Sequence, residues 1–246
     1  MAADRDDRLE RAASFAAVAG PYERARPGYP DDAVRWLAGE TPCDVVDLGA
    51  GTGKLTRSLV ALGHRVTAVE PLPEMLWELR AAVPEAEAVI GSAESMPLPD
   101  GSADVVTCAQ AFHWFDHGPA LAQIARVLRP GGRLALVWNT RDERVAWVEE
   151  LSELMVGRSR MGRRYPDVID QSGLYGPVEH EDFDHAQELD REALRELVLS
   201  RSDCAVLAPE EREPVLRTVD GIFERHASGD VLRLPYVTVC FRATRL

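Results

Sequence analysis

Lysine is almost missing from this chain of 246 residues: Lys54 is the single one, and the 28 basic residues are outnumbered by 41 acidic ones, for a formal net charge of −13. A surface so short of cations does not neutralise a phosphate backbone, which argues against nucleic acid as a partner. Long hydrophobic runs are absent as well. No stretch approaches the roughly 18 uninterrupted apolar residues of a membrane helix, and the Asp/Arg-rich N-terminus lacks the apolar heart of a secretory signal. No membrane partner is expected, and a cytoplasmic location is. Cysteine is sparse: Cys43, Cys108, Cys204 and Cys240 stand alone, on or beside apolar runs. They have neither metal-ligand spacing nor a disulfide framework, so they read as buried free thiols in a reducing compartment, with no metal expected. Repeats and low-complexity segments are also lacking.

What is present is a 46% hydrophobic composition, enough for the core of one α/β domain of ordinary size. Abundant alanine, and arginine in place of lysine, suggests a GC-rich bacterial genome. The most informative stretch begins with the apolar run ending Val45-Val46-Asp47-Leu48. The glycine turn Gly49-Ala50-Gly51-Thr52-Gly53 follows, then a helix start at Lys54, and Glu70 closes the next apolar run. Strand, glycine turn, helix and an acid about twenty residues on form a nucleoside-binding pattern. A dinucleotide fold wants its third glycine at 54, which is lysine. A phosphate loop wants glycine at 48 and a hydroxyl at 55, and both positions are leucine. With Lys54 the one lysine, the Tyr-x-x-x-Lys pair of a nicotinamide-dependent reductase cannot exist. A tight turn that binds nothing is the remaining alternative to a nucleoside site.

The elements that follow keep the order of a doubly wound fold. Arg65–Pro71 reads as a second strand, 72–83 as a helix through Met75, Leu76 and Leu79, and Ala86–Ile90 as a third strand. A turn-rich loop over Gly91–Gly101 leads to a strand over Ala103–Ala109 and the segment Gln110-Ala111-Phe112-His113-Trp114-Phe115. Helix Gly118–Leu128, the turn Arg129-Pro130-Gly131-Gly132 and a strand over Arg133–Trp138 complete this region. Together, Asp-x-Gly-x-Gly-x-Gly at 47–53, the acid at 70 and the Leu-Arg-Pro-Gly-Gly turn resemble the class I S-adenosylmethionine-dependent methyltransferases over roughly residues 20–140. Within that family, Tyr22–Pro30 and Ala-Phe-His-Trp-Phe look most like the small-molecule branch, which includes trans-aconitate and ubiquinone-biosynthesis-type methyltransferases. The DNA-methylating members carry Asp/Asn-Pro-Pro-Tyr/Phe where this chain has Gln110-Ala111-Phe112-His113.

The resemblance implies a single doubly wound, Rossmann-like α/β domain. It would hold a seven-stranded sheet of order 3-2-1-4-5-7-6 with the last strand antiparallel, and helices on both faces. Residues 1–40 would form a helical lid, 41–140 the cofactor core, and 141–246 the substrate-side insertions and C-terminal strands. It further implies S-adenosylmethionine as cofactor, S-adenosylhomocysteine as product and a small-molecule acceptor. Gly49, Ala50, Gly51 and Thr52 would pass along the methionine and ribose, Asp47 would orient the amino group, and Glu70 would take the ribose hydroxyls. Pro71 and Met75 would lie against the adenine, Ala93 and Glu94 at its edge, and Gln110 would present a carbonyl to the ammonium. Arg26, in the segment Tyr22–Pro30, would meet the donor's carboxylate. Tyr22, Tyr29, His113 and Trp114 would shape the acceptor pocket, with His113 a candidate general base. Met75 is equally an ordinary core residue, Arg26 equally a surface arginine, and His113 equally part of an aromatic wall.

Methyl transfer from a sulfonium is an in-line displacement from an already activated donor, and positioning supplies most of what it needs. A carboxylate acceptor requires no base at all. Transfer to a small-molecule oxygen, hydroxyl or carboxylate, is therefore the expected activity, with a non-catalytic nucleoside binder of the same fold as the rival. Beyond Thr140 the pattern weakens. A helix is expected over 144–156, an arginine-rich connector over 157–165, a strand over 178–183, helices over 191–199 and 209–225, and a last strand over 234–243.

Overall fold

A computed structural model describes residues 26–155, 165–199 and 209–246; Tyr22, Cys204 and most of the arginine-rich 157–165 segment lie outside them. The described chain falls into two compact units. The sheet unit comprises 28–139, 165–183 and 238–246; the second comprises 26–27, 140–155, 184–199 and 209–237. Strands β5, β6 and β7 contribute residues to both.

The seven strands are β1 Asp44–Leu48, β2 Arg65–Glu70, β3 Glu87–Ile90, β4 Ala103–Ala109, β5 Leu128–Arg141, β6 Glu179–Leu189 and β7 Leu232–Thr244. They form one sheet of order β3-β2-β1-β4-β5-β7-β6, parallel from β3 to β5 and antiparallel at β7, as the resemblance implied. The inner strands are apolar because helices cover both faces of a parallel sheet; Val45, Val46 and Leu48 of β1 are all buried.

In the sheet unit, helix α1 (Asp31–Ala38) buries Val34 and Leu37, and α2 (Lys54–Ala61) buries Leu55 and Leu59, beside Val45, Val66, Val105 and Val137. Helix α3 (Pro73–Ala82) starts on a proline, whose missing N–H costs nothing in a first turn. Helix α4 (His117–Val127) carries Arg126, whose guanidinium donates to the carbonyls of Met96 and Leu98 and to Asp100 at 2.6–2.9 Å. That one side chain holds down the turn-rich 91–101 loop.

Several boundaries differ from expectation. The Arg129–Gly132 turn is absorbed into β5 as a bulge: Leu128 pairs with Ala103 and Arg133 with Val105, so the residues between have no register partners on β4, although the Arg129 side chain reaches Asp104 at 2.6 Å. Helix α6 (Tyr165–Ser172) went unread because only Ile169 of its eight residues is buried. Strand β6 runs on to Leu189, past the expected end at 183, through the polar Asp184–Glu188. In the second unit, helices α5 (Ala146–Leu154), α7 (Arg191–Leu199) and α8 (Pro209–His226) enclose a core of Val148, Leu151, Leu194, Leu197, Ile222, Leu232 and Leu234.

Candidate cofactor and methyl-transfer site

Nearly all the residues singled out above converge at the C-terminal ends of β1, β2 and β4 in the sheet unit, the usual ligand crevice of an open α/β sheet. The glycine turn takes a left-handed backbone that residues with a side chain rarely adopt. Gly51 and Gly53 sit at φ +57° and +89°. A Cβ at Gly53 would lie 2.9 Å from Leu79, whereas one at Gly51 would meet nothing nearer than the Met75 sulfur at 3.8 Å.

Four of the turn's five N–H groups are already spent inside the protein. Gly49 and Ala50 donate to the Val69 carbonyl at 2.8 and 3.2 Å, Gly51 to Glu70 Oε2 at 2.9 Å, and Gly53 to the Ala50 carbonyl at 3.0 Å. Phosphate loops work by aiming such donors at the ligand. Here they point inward, and a carboxylate stands beside them. That geometry suits a cationic, hydroxyl-bearing ligand better than a phosphate.

Glu70 is 5% exposed; its second oxygen accepts from the Leu72 amide at 3.1 Å. Burial raises its pKa against the opposing effect of the two amides. A carboxylate has about four acceptor sites, so two remain for hydroxyl donors. Asp47 lies deeper. Its oxygens accept from Thr56 Oγ1 at 2.6 Å and Thr107 Oγ1 at 3.1 Å, and burial lifts its pKa to about 6. Thr56 and Thr107 escaped the sequence reading, although a threonine in the middle of the apolar strand Ala103–Ala109 is a signal that a buried partner awaits it.

Pro71 is exposed and Met75 nearly buried on α3. Ala93 is buried, and Glu94 accepts from the Asp116 amide at 2.9 Å, tying the 91–101 loop to the start of α4. Gln110, at φ +56°, is the one described non-glycine residue with positive φ, a backbone strain that collects at functional turns. Its amide donates to the Asn139 carbonyl at 3.2 Å. Asn139, also unread in the sequence, donates to the Gly28 carbonyl and accepts from Thr238, so it pins the residues beside Tyr29 to the sheet. Tyr29 is half-buried against the core that contains Leu37 and Val137.

His113 and Trp114 lie in a 3₁₀ turn, their rings 4.8 Å apart. Burial, with His117 nearby, lowers the pKa of His113 to about 4, and its Nδ1 is buried with no hydrogen-bond partner. The ring is therefore neutral at physiological pH, with one nitrogen uncommitted. Behind it, Phe112 stacks on His117 at 4.7 Å, and Tyr165 of α6 stacks on Trp138 at 5.0 Å. Arg26 belongs to the second unit.

Comparison with known proteins accords with this geometry. Residues 46–136 match the family described as Methyltransferase domain. An uncharacterized methyltransferase of Mycobacterium tuberculosis is 47% identical over 96% of this chain and 98% of its own. The chain belongs to the class I S-adenosylmethionine-dependent methyltransferases. Within that family, a malonyl-[acyl-carrier protein] O-methyltransferase of Methylococcus capsulatus is 41% identical over 39% of this chain and 38% of that one. A structure from Anaeromyxobacter dehalogenans, assigned as a type II methyltransferase, superposes with a TM-score of 0.65 at 26% identity, covering 89% and 97% of the two chains.

The residues present fit the methyltransferase cofactor: a glycine turn open above Gly51, donors turned inward, and a buried carboxylate with free acceptor capacity at the end of β2. Among the described residues no group of three or more His, Cys, Asp or Glu is placed to hold a metal ion, and no helix is long and apolar enough to cross a membrane.

Proposed function

We propose that this methyltransferase moves a methyl group from S-adenosylmethionine to an oxygen of a small molecule, a hydroxyl or a carboxylate, chiefly by holding donor and acceptor in line. The observation that carries this reading is the pairing of an inward-bonded glycine turn with a neutral, uncommitted His113. Glu70 would hold the ribose hydroxyls and the Gly49–Thr52 turn the methionine and ribose. Asp47 would act on the amino group from behind Thr56 and Thr107, and Gln110 would turn a carbonyl toward it. Pro71, Met75, Ala93 and Glu94 would bound the adenine.

His113 at a pKa of about 4 is a weak base, suited to accepting a hydrogen bond from an acceptor hydroxyl or, as the other tautomer, donating one to a carboxylate. Positioning by His113 and Trp114 is thus favoured over proton abstraction, in keeping with a reaction that needs little base catalysis. Oxygen is favoured over nitrogen because no acid cluster of the amine-binding kind stands beside His113 among the described residues, and because the partial relative from Methylococcus capsulatus is an O-methyltransferase.

The test is titration calorimetry with S-adenosylhomocysteine, with NADH and ATP as controls, followed by incubation of trideuteromethyl-labelled donor with a small-molecule extract read by mass spectrometry. Binding of the sulfur nucleoside together with a labelled O-methyl product supports the reading. Binding with no transfer to any acceptor favours the nucleoside binder, and binding of NADH alone overturns both.

A further inference from the structure

Among the described residues of unit two, Arg141 is a buried cation that makes no ion pair. Arg141, the last residue of β5, is 9% exposed. The backbone sets it opposite Tyr236 of β7, because Thr140 Oγ1 donates to the Val237 carbonyl at 3.1 Å and the Asp142 amide to the Pro235 carbonyl at 3.0 Å. Its Nε donates to Ser152 Oγ of α5 at 2.7 Å, which fixes the plane of the guanidinium. Nη2 is buried without a partner, and neither Nη nitrogen bonds any described residue.

The surroundings make this a polar seat at the end of an apolar face. Along β7, Leu232 and Leu234 belong to the second core, and Tyr236, next on the same side, stacks on His185 of β6 at 5.5 Å. No nearby acid among the described residues forms an ion pair with Arg141, although Glu143 is close enough to raise its pKa. Asp142 is held by Arg144 at 2.7 and 2.9 Å, and Arg144 reaches on to Asp184. Glu143 makes no ion pair with Arg141, and its own Oε1 is buried without a partner. Burial above all, and the positive charge of Arg26, lower the pKa of the Arg141 guanidinium, against the opposing effect of Tyr236 and Glu143. Native interiors rarely leave such groups unsatisfied, and a buried, unpaired charge is costly to the folded state. With Nε committed, the two Nη nitrogens present an end-on fork, the geometry that takes a carboxylate with two parallel hydrogen bonds.

We propose that Arg141 is a carboxylate-binding site within the second unit and that its ligand is a small carboxylic acid. This carboxylate seat does not rest on the methyl-transfer reading above. The donor's methionine also carries a carboxylate, so the experiment separates the two sources.

The full chain, saturated with S-adenosylhomocysteine, is titrated with malonate, succinate and citrate and with their full methyl esters. The same titrations are repeated on Arg141→Met and Arg141→Lys, and the ligand-free variants are melted. At least one free acid binds the wild type while its ester does not. Arg141→Met weakens that acid by more than tenfold and leaves S-adenosylhomocysteine affinity within about twofold. Arg141→Lys falls between, because an ammonium keeps the charge and loses the fork. Ligand-free Arg141→Met melts higher than the wild type, since it removes a buried charge held in no ion pair; a residue serving only to bolt β5 to Ser152 would give the opposite shift.

The proposal is overturned if no free acid outbinds its ester, if Arg141→Met loses S-adenosylhomocysteine affinity (the seat is then the donor's), or if that variant melts lower or does not fold. Failure of the methyl-transfer reading shows elsewhere, as absence of labelled product with the carboxylate titration intact.

Discussion

At the scale of single residues, Glu70 and His113 illustrate two ways a side chain is prepared for a ligand. Glu70 is committed first to its own backbone, closing Gly51 and Leu72 onto one carboxylate, so the same group shapes the turn and faces the ligand. Replacing it with glutamine leaves one acceptor oxygen and sets an amide N–H₂ against a backbone N–H. Glu70→Gln should lower stability by about 1–3 kcal/mol and weaken S-adenosylhomocysteine about tenfold, some 1.4 kcal/mol. Calorimetry and thermal melts read both, and an unchanged dissociation constant would remove Glu70 from the site. His113 is prepared in the opposite way, by exclusion from water. With its pKa lowered to about 4, it stays neutral from mildly acidic to alkaline pH. At saturating S-adenosylmethionine, where the Asp47-linked change in affinity drops out, the wild-type transfer rate should therefore show no inflection near the ordinary histidine value of about 6.5. An inflection there that disappears in His113→Gln would mean that a titrating general base operates after all.

At the scale of elements, the glycine turn decides how β1 passes into α2 and how α3 packs beside it. Gly53 is both the left-handed cap of α2 and the floor on which Leu79 of α3 rests. Gly53→Ala adds a Cβ at φ +89° and 2.9 Å from Leu79, so it combines backbone strain of about 1–2 kcal/mol with overpacking of about 1–3 kcal/mol. Gly131→Ala, at φ +76° with nothing within 4 Å, should cost the strain alone. Denaturant melts of the pair test the difference, and equal losses would mean that α3 yields without cost. These elements were legible in the sequence because their physics is local. Apolar runs, a glycine turn, a proline at a helix start and an acid at a strand end each specify themselves within a few residues. The bulge at Arg129–Gly132 and the extension of β6 were not legible, because both depend on which strand lies alongside. Asp184–Glu188 is too polar to read as a strand until β7 is known to be its neighbour. The same reason hid Thr56, Thr107, Asn139 and Arg141, whose importance comes from partners between 9 and 111 residues away.

At the scale of the whole molecule, the excess of acid is divided between two populations with opposite responses to pH. Exposed or half-buried acids such as Asp44, Asp142 and Asp220 are held below the usual carboxylate range by hydrogen-bonded arginines. Their contribution to stability is present above that range and is lost as pH falls through their lowered values. Asp47 behaves inversely. Its folded pKa, about 6, lies above that of an unfolded aspartate near 3.9, so the folded state holds the proton more tightly. The folded state is favoured while Asp47 is protonated and loses about 3 kcal/mol as pH rises from 4 through 6. Asp47→Asn should flatten that part of the stability curve relative to the wild type. The same buried charge links folding to cofactor. A donor bearing a sulfonium and an ammonium favours the ionised form of Asp47, so binding at acid pH must first remove its proton. At pH 5, one unit below its pKa, the proton is bound in about nine molecules of ten, and affinity for S-adenosylmethionine should be about tenfold weaker than at pH 7.5. Asp47→Asn should bind more weakly at neutral pH and show little change between the two. Calorimetric titrations at both pH values decide the matter: a wild-type affinity independent of pH would mean that Asp47 serves only to bolt Thr56 to Thr107, and that the donor's charge is met elsewhere.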